Sequence, residues 1–113
     1  MITITVVLDE SGLLKSCKIQ GHAGAEKKGK DIVCAAVSVL ARTALAALSG
    51  REGIKVQGKA PRRGEFSLET EALNAEARIF LDAAGSFLIE GLNSVAGEYP
   101  QYCVITVTRE RRN

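Results

Sequence analysis

Gly21-His22-Ala23-Gly24, then Gly29-Lys30-Asp31-Ile32-Val33-Cys34: between these two runs the chain changes its period. Upstream, Ile2, Ile4, Val6 and Leu8 alternate with Thr3, Thr5 and Val7, the period of a strand. Asp9-Glu10-Ser11-Gly12 is turn chemistry. Leu13 to Gln20 reads as a second strand with Leu13, Cys17 and Ile19 on one face, so the chain opens with a hairpin. Residues 21–30 form a glycine-rich loop carrying Lys27, Lys28 and Lys30. Downstream an apolar helix is predicted from Asp31, as N-cap, to about Leu48, ended by Gly50.

The remainder repeats the theme. Residues 53–58 and 65–71 read as two short strands joined by Lys59-Ala60-Pro61-Arg62-Arg63-Gly64, a turn rich in breakers. A second helix is predicted from about Ala72 to Ala96, with Ala77, Phe80, Leu81, Ala84, Leu88, Leu92 and Val95 as its apolar stripe. Gly85 and Gly91 weaken it, and Gly97 and Pro100 end it. Tyr102 to Thr108 is a last strand, followed by a charged tail. The order ββαββαβ predicts an α+β fold: a mixed, mainly antiparallel sheet of about five strands with two helices on a face. The first helix is apolar nearly all round, with Arg42 its only charge. That predicts burial on several sides, by a second helix or by a partner subunit.

Composition narrows the function. At 113 residues the chain is one domain, residues 1–113. A net charge of +2 is too small to imply a polyanion partner, and 4% aromatic residues cannot build a base-stacking platform. Cys17, Cys34 and Cys103 are odd in number and widely spaced, with no CxxC. They are expected to be reduced thiols of a cytoplasmic protein, not a disulfide framework or a zinc site. The N-terminus lacks the form of a signal peptide. The run Ile32 to Leu48, interrupted by Ser38, Arg42 and Thr43, falls short of the roughly 20 apolar residues of a membrane span. No cofactor or metal is called for.

Chemistry concentrates around the opening stretch. If Asp31 is the N-cap, Cys34 is the third helical residue, where free N–H groups and the helix dipole lower a thiol pKa. His22, the one histidine, brackets the same loop and is the natural general base. The plain alternative is a buried, inert cysteine and an exposed loop histidine. Asp31 caps the helix, orients His22, or does both. Ser38, one turn after Cys34, lines the site or bonds back to helix carbonyls. Cys17 and Cys103 read as core. Gly24 to Asp31 nearly matches the phosphate loop G-x-x-x-x-G-K-[ST], but Asp31 stands where a hydroxyl is needed, so no nucleotide site is expected. The lysines leave a second class open, a non-catalytic ribosome- or RNA-associated module, for which Cys34 has no role. A third is a thiol hydrolase of another substrate.

The pattern Gly21-His22-Ala23-Gly24 … Gly29-Lys30-Asp31-Ile32-Val33-Cys34-Ala35-Ala36-Val37-Ser38 resembles the bacterial ribosomal-processing cysteine protease family, Prp. The resemblance implies a dyad with Cys34 as nucleophile and His22 as base, and Asp31 and Ser38 in support. It implies a substrate too: the N-terminal extension of large-subunit ribosomal protein twenty-seven, apolar, with phenylalanines ahead of a small residue. It also implies a homodimer; neither membrane nor nucleic acid is required. On this view Gly21, Ala23, Gly24 and Gly29 belong to a substrate loop, with Gly24 and Gly29 as hinges that let it order over a bound peptide.

Overall fold

The computed structural model describes residues 1–21, 28–62 and 64–111, with the backbone alone over 28–31. The elements are β1 (Ile2–Leu8), β2 (Leu14–Gln20), α1 (Lys28–Ser49), β3 (Ile54–Lys59), β4 (Glu65–Ala72), α2 (Ala75–Glu98) and β5 (Cys103–Arg109). The strands form one sheet in the order β3-β4-β2-β1-β5. Three neighbouring pairs are antiparallel, and β1 and β5 run parallel. This is the α+β fold with the ββαββαβ order and the mixed sheet that the periodicity predicts.

Alternation in β1 buries Ile2, Ile4 and Val6 and exposes Thr3 and Thr5. The same face carries Cys17 opposite Val6 and Leu68 opposite Cys17. In β2 strict alternation fails. Val7 pairs with Ser16 but Leu8 pairs with Leu14, so a bulge skips Lys15. Leu14 and Cys17, three apart, therefore both face the core, and Leu13 just before the strand is buried as well. The preceding turn is closed by Asp9, whose Oδ1 accepts hydrogen bonds from Ser11 N, Ser11 Oγ and Leu13 N. These bonds hold its carboxyl below the ordinary range, against the opposing effect of partial burial.

Both helices lie on the apolar face. α1 contributes Val33, Val37, Ala41, Ala44 and Leu48, and α2 contributes Ala77, Leu81, Leu88 and Leu92. α2 begins three residues later than the pattern predicts, because Ala72 still belongs to β4. Asn74 then caps the helix, its Oδ1 accepting from Ala77 N at 2.8 Å. Gly85 is part of the stripe rather than a weak point in it. A Cβ there would lie 2.9 Å from Leu14 Cβ, so glycine lets helix and sheet approach.

The helices do not finish each other's burial. α2 packs beside α1, the second helix that the apolar sequence predicts. Ile32 and Val39 are still 54% and 55% exposed, and on α2 Ile79 and Phe87 are 73% and 75% exposed. As helices, Ile32–Ser49 and Ala75–Glu98 do reach the length and apolarity of a membrane span, which for the first differs from the reading of Ile32 to Leu48 as too short. In this fold each lays one core stripe on the sheet.

Candidate active site

Spacing along α1 builds one wall of a cleft. Cys34, Val37, Ser38, Ala41 and Arg42 follow at threes and fours and share a face. Opposite them stands the β3–β4 turn with Ala60, Arg62 and Gly64. Ile2, Ile19 and Phe66 make an apolar floor, with Gly21 and Glu65 beside it. The cleft's volume is about 260 Å³. A wider hollow of about 850 Å³ lies elsewhere, over Lys15, Ser16, Gln57 and Glu69. It holds no cysteine, so its size does not make it the site.

Gly21 borders the cleft. It ends β2 at φ 139°, a conformation that L side chains rarely adopt. A Cβ there would run into the Met1 carbonyl oxygen and lie 2.8 Å from Ile2 Cα. Its N–H donates to the Gly64 carbonyl at 2.9 Å, and Gly64 itself has φ 84°. Two glycines thus join the end of β2 to the β3–β4 turn.

The helix start differs from the sequence reading. α1 begins at Lys28, so Asp31 is its fourth residue and not the N-cap, and Cys34 is its seventh and not its third. Gly29 is helical, and so is not a hinge in a loop. Only the first four N–H groups of a helix lack partners, and the dipole's influence fades within the first turn. Helix-start activation of the Cys34 thiol therefore does not apply. His22, Ala23 and Gly24 lie outside the described residues, as does the Asp31 side chain. What the structure brings together is Cys34, Ser38 and Gly21 around one cleft. It adds Arg42, Arg62 and Phe66, which the sequence did not mark as site residues. The signal for Arg42 was its position eight residues after Cys34, on the same side of an apolar helix.

The three thiols differ in surroundings. Cys17 is 1% exposed, and burial pushes its pKa up to about 12. Cys103 is 2% exposed; burial, and next the charge of Cys34, raise it. Cys34 is half-buried, packed against the core and open to the cleft. Cys17 and Cys103 are core, as read from their strand faces. A thiol raised by folding holds its proton after the unfolded chain has lost its own. Stability is therefore expected to fall as pH climbs from about 9 toward 12, by about 1.4 kcal/mol per unit from Cys17. Urea unfolding at pH 8 and pH 10 measures it, and Cys17→Ala should flatten the slope. An unchanged slope in that variant would contradict the assignment.

Among the described residues no three His, Cys, Asp or Glu side chains cluster to hold a metal. A sequence model of one family, described as cysteine protease Prp, matches residues 1–104. No curated protein matches the chain significantly. The crystal structure of SMU.848 from Streptococcus mutans is similar with a TM-score of 0.81 at 24% identity, covering 97% of this chain and 96% of that one. Prp of S. aureus, an essential ribosomal processing protease crystallised with a substrate peptide, gives 0.81 at 19% identity, covering 95% and 99%. Its complex with a covalently linked product peptide gives 0.76 at 21%, covering 97% and 100%. At these identities the structural likeness establishes the fold.

Proposed function

The chain belongs to the cysteine protease Prp family, and from that membership we propose that it removes the N-terminal extension of large-subunit ribosomal protein twenty-seven during ribosome assembly, in the cytoplasm. The observation that carries the site assignment is that Cys34, unlike Cys17 and Cys103, opens on a cleft with an apolar floor. Such a floor suits an apolar stretch ahead of the scissile bond. The S. aureus relative, a ribosomal processing protease seen with peptides, supports a peptide substrate. Family membership favours this reading over the RNA-associated module.

In the proposed reaction the Cys34 thiolate adds through Sγ to the scissile carbonyl carbon. The C–N bond breaks, the amine leaves with a proton from the His22 imidazolium, and a thioester remains. His22 then takes a proton from water, whose oxygen displaces Cys34 and releases the carboxyl product. α1 starts at Lys28, so Cys34 lies beyond the four residues whose N–H groups are open. Ser38 Oγ, on the cleft wall one turn along, is the hydroxyl donor we assign to the substrate. Asp31 is assigned to support His22.

A second copy of the chain is the proposed cover for the exposed apolar residues of the helices, Ile32, Val39, Ile79 and Phe87. Light scattering is expected to read twice the 12.0 kDa chain mass; a monomer at micromolar concentration would contradict it. The activity itself is tested with a peptide carrying the phenylalanine-rich extension. One cut, ahead of or after the small residue that follows the phenylalanines, is expected, and an intact peptide would overturn the reading.

A further inference from the structure

From Ile32 to Ser49 the helix α1 has one charged residue, Arg42. It lines the Cys34 cleft, two turns beyond the nucleophile. Arg62 of the β3–β4 turn lines the same cleft from the other side. Neither guanidinium has an ion pair or a side-chain hydrogen bond among the described residues, although Glu65 also borders the cleft. A guanidinium offers five donors in a fixed fork that matches carboxylate and carboxamide oxygens. Among the described residues that line the cleft, two such groups stand against one carboxylate, so donors are in excess.

Geometry sets where those donors would act. Eight residues of helix advance about 12 Å. An extended peptide covers that length in three or four residues, at about 3.3 Å each. Between Cys34 and Arg42 the cleft is apolar, through Val37, Ala41, Ile19 and Phe66. In the function proposed above, on which this inference rests, the apolar residues of the substrate precede the cut. The end of the cleft at Arg42 therefore receives residues upstream of them.

We propose that Arg42 is a specificity residue. It donates hydrogen bonds to an acceptor side chain, carboxylate or carboxamide, three or four residues upstream of the scissile bond, with Arg62 facing it across the cleft. The apolar floor reads the residues next to the cut, and the arginine fixes register by binding a polar residue beyond them.

The test uses the full chain with Cys34→Ala, which binds without cutting, and fluorescent peptides with Glu, Gln, Leu or Lys at the third or fourth upstream position. Anisotropy should show Glu and Gln binding roughly tenfold tighter than Leu, with Lys weakest, as for hydrogen bonds to a charged donor. Adding Arg42→Leu should bring Glu and Gln down to Leu, while Arg42→Lys should keep part of the preference for Glu. With Cys34 present, the same preference should appear in KM rather than kcat. Equal affinities for the four peptides, or a preference that survives Arg42→Leu, would overturn the proposal. Cutting of all four peptides with equal affinities would defeat the role of Arg42 and leave the protease standing. Discrimination in binding without cutting by the intact chain would do the reverse.

Discussion

Gly21→Ala is expected to destabilise the fold by about 3 kcal/mol or more and to abolish peptide cleavage with it. Two penalties fall on one methyl group. At φ 139° the backbone is strained for any residue with a Cβ. The added carbon also meets main-chain atoms of Met1 and Ile2, which cannot swing aside as a side-chain end can. Relief would need β1 to move, and β1 is paired on both sides, with β2 and with β5. Moving it would disturb Ile2 on the cleft floor and the Gly21 N–H bond to Gly64. Gly50→Ala is the control, since a Cβ there meets nothing within 4 Å. Its stability should change by less than about 0.5 kcal/mol. Urea unfolding of the two variants checks the contrast, and equal midpoints would contradict it.

Cys34→Ala is expected to lower cleavage by at least about a thousandfold while leaving the fold in place. The proposed nucleophile is lost outright, and neither other thiol can replace it. Cys17 and Cys103 are buried, and their raised pKa values keep them protonated at neutral pH. Cys34 itself is half-buried, so trimming its sulfur removes little packing. Thermal unfolding of the variant should shift by only a few degrees. His22→Ala should be nearly as inactive. Under native conditions an alkylating reagent should label one thiol of three, and the label should vanish in Cys34→Ala. Labelling of two or three thiols in the folded chain would contradict the separation between core and cleft.

Much of this architecture was legible where one period ruled. Ile2, Ile4 and Val6 alternate without interruption and face the core as expected. The bulge at Lys15 was not legible, because a skipped residue leaves no mark in composition and shows only in the pairing of Leu8 with Leu14. Gly85 carries a helix-weakening propensity, but that local preference yields to close packing on Leu14. The start of α1 misled for a related reason. Asp31 has the chemistry of a cap, yet the helix extends back through Gly29 to Lys28.

The site divides in the same way. Cys34 and Ser38 could be paired in advance, since four residues of helix put them on one face. That Arg62 and Phe66 face them could not. Their proximity depends on the order β3-β4-β2-β1-β5, which sets the β3–β4 turn against α1 across the ends of β1 and β2. Sequence spacing reaches across one element, whereas a cleft is made by several that are distant along the chain.

In the proposed function Cys34 acts as a nucleophile toward one apolar peptide. The most direct measurement is mass spectrometry of the phenylalanine-rich extension peptide after incubation with the wild-type chain and, side by side, with Cys34→Ala. One new carboxyl terminus and one new amino terminus are expected in the wild-type reaction, and only intact peptide with the variant. Intact peptide in both reactions, or the same cut in both, would contradict that function.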